Sequence, residues 1–299
     1  MDIAISGASG FIGTALTASL KADGHRPIAL VRRAAKGNDE ITWDPAGGTI
    51  DESSLEGVDA VVHLAGAGIG DKKWSDARKA VIRDSRVKGT TLLAETLAGL
   101  SQKPRVFVSS SGIGVYGSKG DTVLDESTPA GSGFLADVCV EWEAATAPAA
   151  DAGIRTALAR TSVVLDDSGG TLKKQLLLFK LGLGGRFGPG TQYLSWISLN
   201  DQVRALRFLV DNDITGPVNL CSPNPVTNLE FTKTLGGVLK RPTLVPVPLL
   251  GPKLLFGAEL VEQLILASQR GNPKALLDAG FTFDDPELDG ALRDMLGKS

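Results

Sequence analysis

Met1-Asp-Ile-Ala-Ile-Ser-Gly7-Ala-Ser-Gly10-Phe-Ile-Gly13 is the stretch whose reading decides the fold. Alternating Ile3 and Ile5 lead into three glycines spaced by three, and a helix-forming segment, 14–22, follows at once. Strand, tight turn and helix N-terminus then form one unit, which offers free backbone N–H groups and the positive end of a helix dipole to a pyrophosphate. In that unit Gly7 makes the turn, Gly10 admits the phosphates and Gly13 lets the helix pack on the strand. Ser9, Phe11 and Ile12 complete the candidate cradle. Glycines at this spacing also occur in plain βα turns; the flanking strand and helix are what favour a nucleotide.

Working outward, residues 27–33 read as a second strand, in which Val31 is followed by Arg32 and Arg33. In dinucleotide folds a carboxylate about 20 residues past the glycines accepts the ribose 2′-hydroxyl of NAD. Here no acid precedes Asp39, and guanidinium groups match a 2′-phosphate in charge and forked shape, so the expected cofactor is NADP(H). The competing reading is that both arginines are solvated surface charge. Residues 34–57 look like irregular connection, with turn signals at Asp44-Pro45 and Gly47-Gly48. Residues 58–66 form a near-continuous apolar run, as a buried parallel strand does, and end in Leu64, Ala65 and Gly66, placed beside the cofactor. A helix over 72–99, a strand over 104–111 ending in Ser109-Ser110-Ser111, a loop, a helix over 134–150 and a strand over 155–160 follow. Strands alternating with helices predict an α/β fold, a Rossmann-type doubly wound parallel sheet.

Beyond residue 164 the texture becomes glycine-rich. Helices are expected over 172–181, from 201 through 210, over 228–239, over 255–268 and from 286 onward, with a last sheet strand at 217–221. The expected division is a Rossmann domain, 1–165 plus about 199–221, and a smaller mixed C-terminal lid domain, about 166–198 and 222–299.

The 299 residues carry a net charge of −3, which leaves no basic footprint for nucleic acid. Two cysteines and two histidines, far apart in the chain, give neither a disulfide framework nor a metal-ligand spacing. The start has no basic n-region, and the apolar stretch 244–258 is broken by Pro246, Pro248, Pro252 and Lys253. The expectation is a cytoplasmic protein with a small-molecule substrate, no membrane partner and room for a homodimer.

With these pieces assembled, the chain resembles the extended, sugar-epimerase-like short-chain dehydrogenases/reductases, and most closely an atypical branch labelled epimerase family proteins. The residues carrying the resemblance are Gly7-Ala-Ser-Gly10-Phe-Ile-Gly13, His63-Leu-Ala-Gly66, Ser109 through Gly117, Arg160 and Trp196-Ile-Ser-Leu-Asn-Asp201. Branch-specific pieces include Ile41-Thr-Trp-Asp-Pro45, Phe179 through Gly185 and Ala267-Ser-Gln-Arg270. The resemblance implies a Rossmann domain with a C-terminal substrate-side domain, NADP(H) as cofactor, and Arg32, Leu64, Ala65 and Arg86 at positions that touch it.

The chemistry departs from the family pattern. Active members use a serine, then a tyrosine with a lysine four residues later, whose charge lowers the phenol's pKa. Ser111 fits the serine place, with Ser110 and Ser109 as alternatives, but helix 134–142 holds no tyrosine and no lysine. Leu135 stands at the tyrosine place, Cys139 at the lysine place, and Arg86 at the place of the family's asparagine. Three substitutes are open. Tyr116 is an acid/base candidate or a packing residue, and Cys139 is a thiolate or a small buried hydrophobe. Arg160 is a contact for an anionic substrate or half of an ion pair. Arg86 stays protonated and reads as a phosphate or ribose clamp. Two functions remain in view: an atypical NADP(H)-dependent oxidoreductase or epimerase-like enzyme, and a catalytically idle, cofactor-loaded binding or regulatory protein.

Overall fold

The computed structural model describes residues 1–298. The order of its strands is β1 (Asp2–Ser6), β2 (Arg26–Val31), β3 (Glu40–Asp44), β4 (Thr49–Ile50), β5 (Ala60–His63), β6 (Val106–Gly112), β7 (Val123–Leu124), β8 (Arg155–Thr161), β9 (Val163–Asp166), β10 (Tyr193–Leu194), β11 (Trp196–Ser198), β12 (Gly216–Leu220), β13 (Val226–Thr227) and β14 (Arg270–Gly271). The main helices are α1 (Phe11–Ala22), α2 (Asp76–Gly99), α3 (Phe134–Ala144), α4 (Ala147–Asp151), α5 (Gly170–Lys180), α6 (Leu199–Asp211), α7 (Asn228–Leu239) and α8 (Leu250–Phe256).

One eight-stranded sheet runs in the order β12-β8-β6-β5-β1-β2-β3-β4, parallel throughout except for β4. From β1 the chain moves outward to β2 in one direction and returns to build β5, β6 and β8 in the other. This reversal beside β1 is the switch point at which open α/β sheets bind ligands. Strand alternation sorts the two faces. Ile3, Ile5, Val62 and Val108 meet α1 and α6 through Leu16, Leu20, Leu206 and Leu209, whereas Ala4, Val61 and Phe107 meet Leu93 and Leu97 of α2. Each such aliphatic side chain, fully buried, stabilises the fold by about 1.5–3 kcal/mol.

Past β9 the chain builds another core, in which Leu172, Leu176 and Phe179 of α5 pack with Trp196, Phe231 and Leu235, and with Leu292 of a terminal helix, Leu288–Met295. A full capping box starts α7: Thr227 accepts from the Glu230 N–H, and Glu230 reaches back to the Thr227 N–H at 2.6 Å.

Three expectations need correction. Residues 34–57 are not plain connection, because β3 joins the sheet edge parallel to β2 and β4 folds back on it. Ile41 and Trp43 point inward while Thr42 and Asp44 are exposed, a two-residue alternation obscured by the turn signals that follow. Helix 134–150 is two helices, because α4 restarts with a proline in its first turn after Thr146. The helix expected over 255–268 breaks into α8, a short turn Ala258–Leu260 and a π-turn Val261–Ile265, the break falling at Gly257 with φ +91°. Among the described residues no helix is long and apolar enough to cross a membrane, and no group of three or more His, Cys, Asp or Glu side chains could hold a metal ion.

Candidate functional site

The carboxyl ends of β1, β2, β5 and β6 meet at one edge of the sheet, which gathers most of the residues expected around a cofactor. Gly7 turns with φ +70°, and a Cβ there would lie 3.0 Å from the Ala65 nitrogen, so β5's end packs directly on the turn. Gly13 is tighter still, since a Cβ would stand 2.2 Å from the Gly7 carbonyl oxygen. That contact presses α1 against the turn and aims its first N–H groups, those of Phe11, Ile12 and Gly13, outward. The N-cap is Gly10, with no side-chain cap and no acid in the first turn. Helix N-terminal N–H groups left without protein acceptors are what an anionic phosphate would satisfy. Ser9 and Gly10 are exposed at this mouth, while Phe11 lies under the Gly169-Gly170 turn that begins α5.

At the end of β2, Val31 is half-buried and the two arginines part company. Arg33 is forked onto Glu40 at 2.5 and 2.7 Å, which lowers the Glu40 pKa to about 2. Expected at the cofactor, Arg33 is thus engaged with β3. Arg32 is exposed and has no ion-pair partner among the described residues.

The end of β5 is organised by Ser6. Leu64 and Ala65 N–H groups donate to its hydroxyl oxygen at 3.1 and 3.2 Å, and the hydroxyl lies 2.6 Å from His63 Nδ1. With both lone pairs taken, Ser6 donates its proton to Nδ1 and leaves the ring proton on Nε2, which has no partner. His63 is fully buried, edge-on to Trp43, and burial, aided by the Arg86 charge, pushes its pKa down to about 4 from 6.5. Unfolded His63 therefore binds a proton between about pH 6.5 and 4 while the folded ring does not, so stability falls as pH drops through that window. The loss should be on the order of 3 kcal/mol, and it should be absent from His63→Gln. Urea midpoints followed down that pH range check this; parallel curves for the two proteins would refute it.

Arg86 on α2 is buried, donates to the Ala67 and Ile82 carbonyls at 3.0 Å, and stacks 5.0 Å over the Trp142 ring. A Cβ at Gly66 would lie 3.1 Å from its guanidinium carbon, so this cation lines the end of β5. Burial pushes its pKa down to about 10, which leaves it charged at neutral pH.

The acid/base candidates meet as a closed network. Ser111 donates to Glu143 Oε1 at 2.6 Å; Arg160 forks onto both Glu143 oxygens at 2.8 Å and donates to the Tyr116 hydroxyl at 2.9 Å; Tyr116 donates to Asn219 Oδ1 at 2.8 Å. The Arg160 and Glu143 side chains are only 10% and 12% exposed. Burial alone would lower the Arg160 pKa, but the Glu143 bonds and charge outweigh it and raise it above the ordinary arginine value. The expectation of Arg160 as a contact for an anionic substrate therefore gives way to an internal ion pair. Tyr116, at 0% exposure, is walled in; burial pushes its phenol up against the opposing pull of Arg160, which does not suit an acid/base at neutral pH. Cys139 is buried and burial lifts its thiol to about 11, so it stays protonated. Ser109 is wholly buried three residues before the end of β6, opposite His63, which leaves Ser111 as the outermost buried hydroxyl of that strand.

Glu143 and Asn219 are the members that sequence reasoning missed. One signal for Glu143 existed: it extends the Leu135–Cys139 stripe by one more step of four on α3. Asn219 had none. Its amide donates to the Leu124 and Asn272 carbonyls at 3.1 and 3.0 Å, groups that adjoin it only through the tertiary fold.

Comparison with known proteins now bears on this geometry. The model of the NAD dependent epimerase/dehydratase family matches residues 3–221. The chain belongs to that family. A domain of unknown function, DUF1731, matches residues 247–295. An epimerase family protein of Mycobacterium bovis is 45% identical over 97% of this chain and 96% of its own length. The human epimerase family protein SDR39U1, whose crystal structure was solved with NADPH, superposes with a TM-score of 0.91 at 32% identity, covering 100% of both chains. A nucleoside-diphosphate sugar epimerase from Corynebacterium glutamicum superposes at 0.82 with 39% identity, over 99% of this chain and 58% of that one. The family's sheet and its glycine turn are thus present here, and α3 carries Leu135 and Cys139, both buried.

Proposed function

We propose that the protein is an NADP(H)-binding, epimerase-like oxidoreductase that works without a Tyr-x-x-x-Lys pair. The observation that carries the binding half is the uncapped α1 N-terminus behind a turn that tolerates only glycine at position 13. The NADPH held by the human relative supports the same reading. Phe11, Ile12 and Gly13 N–H groups would take the pyrophosphate, Leu64, Ala65 and Gly66 would border the ribose, Arg86 would serve as a clamp, and Arg32 would take the 2′-phosphate. The cofactor, when bound, supplies or accepts a hydride.

Arg32→Ala should weaken NADPH binding by about tenfold or more and NADH binding hardly at all, since a lost hydrogen bond to a charged group costs about 1.5–3 kcal/mol. Fluorescence titration of both cofactors checks it; equal losses would remove the 2′-phosphate assignment.

The chain's own chemistry rests on Ser111. A hydroxyl has one proton, and the proton of Ser111 is given to Glu143. Toward a ligand Ser111 then offers lone pairs alone, so it would accept from a substrate O–H or N–H rather than donate to a carbonyl. Glu143, clamped by Arg160, holds that polarity. In single-turnover experiments with bound NADPH or NADP⁺, Ser111→Ala should slow cofactor conversion by about 10²-fold or more, the usual scale of a lost proton-handling group. Silence of the wild type toward matched alcohol and carbonyl panels would favour the second reading, an NADP(H)-loaded binding or regulatory protein. The observation behind that reading is specific: Tyr116, Arg160 and Ser111 spend their polar groups on one another and on Glu143 and Asn219.

A further inference from the structure

The outer face of the C-terminal half is apolar where it meets solvent. Helix α5 buries Leu172, Leu176 and Phe179, yet its other side presents Leu177 and, just beyond it, Leu181 and Leu183, each more than 60% exposed. Across from it the 241–249 segment and α8 present Leu244 at 90%, Leu254 at 72% and Leu255 at 67%. The two stretches adjoin: Arg241 Nε donates to the Lys180 carbonyl at 2.8 Å and the Val247 N–H to the Arg186 carbonyl at 2.9 Å. Scattered exposed leucines are ordinary; a continuous field of them marks a surface that something covers.

Charge identifies the covering. Residues 168–195 and 231–258 contain no Asp or Glu, although acids outnumber bases in the whole chain, 34 to 31. The same two stretches carry Lys173, Lys174, Lys180, Lys240, Arg241 and Lys253. Carboxylates approach only from other segments, Asp71 at 3.7 Å from Lys174 and Glu262 at 3.3 Å from Lys253, both exposed pairs of little strength. A second copy docking by two-fold symmetry would set two cationic rims against each other. A bilayer bearing anionic phosphates presents an apolar interior and negative charge together, which is what leucines rimmed by lysines match.

We propose that this face, formed by α5, the 181–187 loop, the 241–249 segment and α8, docks reversibly on an anionic membrane surface. Its leucines enter the acyl boundary and its lysines meet the headgroups; among the described residues no helix is long and apolar enough to cross the bilayer. The expectation of no membrane partner drawn from the sequence concerned crossing segments, and a surface contact needs none. The inference is independent of the cofactor and of turnover.

Flotation of the full chain with vesicles tests it. On phosphatidylcholine containing about a third phosphatidylglycerol, the protein should float at low salt and detach as salt rises, and it should stay behind with phosphatidylcholine alone. Lys180→Glu and Arg241→Glu should each weaken partitioning by about fivefold or more, the scale of one cation at such a surface. Leu254→Glu with Leu255→Glu should abolish flotation; both sites are exposed, and unchanged circular dichroism would confirm the fold. No flotation with anionic vesicles, equal flotation with neutral ones, or undiminished flotation of the double variant would each overturn the proposal. So would a sedimentation dimer lost in the double variant, which assigns the face to a second copy.

Discussion

Gly13→Val is expected to lose NADPH binding by about a hundredfold or more, because several charge-assisted bonds worth about 1.5–3 kcal/mol each would be misaimed together. The cause is space rather than backbone strain, for Gly13 has no left-handed φ. A Cβ at this position would stand 2.2 Å from the Gly7 oxygen and 2.8 Å from Ala8 Cα, and both neighbours are main chain. No side-chain rotation relieves such a contact. Either α1 lifts off β1 or the turn opens, and both movements redirect the Phe11 and Ile12 N–H groups. Gly13→Ala should follow the same direction with a smaller effect. Overpacking should also lower stability by about 1–3 kcal/mol, so the titration belongs alongside a urea curve showing the variant folded. Retained affinity within about threefold, against the expected loss of those bonds, would show that the α1 N-terminus is not the phosphate site.

Glu143→Ala should destabilise the fold by about 3–5 kcal/mol, among the largest effects open to a single polar substitution here. Removing the carboxylate leaves the Arg160 charge, which is 10% exposed, without a counter-ion and with only the Tyr116 hydroxyl to bond, and it leaves Ser111 without its acceptor. The double variant Glu143→Ala with Arg160→Met should recover most of that loss, since replacing a buried pair by apolar side chains is far cheaper than orphaning one charge. Chemical denaturation of the four members of the cycle measures this. A loss below about 1 kcal/mol in the single variant would mean that water reaches the pair and that it behaves like a surface ion pair. The cycle also bears on function, because Ser111 keeps its polarity only while Glu143 is held in place.

Much of the fold was legible because its signals are local. The alternation at Ile3 and Ile5, the apolar run of 58–66 and the glycine spacing each need only neighbouring residues, and the resulting strands stand where they were expected. Strand β3 was missed although Ile41 and Trp43 alternate with Thr42 and Asp44, because five residues between turn signals carry little periodicity. The break at Gly257 was missed for a related reason: a lone glycine in an apolar stretch is tolerated in helices, and only its φ of +91° shows that it ends one.

The candidate site divides along the same line. Residues 1–13 by themselves determined a strand, a glycine turn and a helix N-terminus of the kind that holds a nucleotide, and Arg32 is the basis of the proposed preference for a 2′-phosphate, because turn geometry, helix dipole and charge are properties of short segments. The sequence also showed that α3 contains neither tyrosine nor lysine; that Leu135 and Cys139 stand at the places of the family's pair is an expectation from resemblance. What Ser111, Tyr116 and Arg160 bond to was decided only by the tertiary structure. Their partners lie 32, 103 and 17 residues away, and a hydroxyl or guanidinium presents the same atoms to sequence reading whether it faces a cleft or a buried carboxylate. Burial then decides the rest: Cys139 stays a thiol and Arg160 a structural cation through desolvation and pairing, neither of which a linear sequence records.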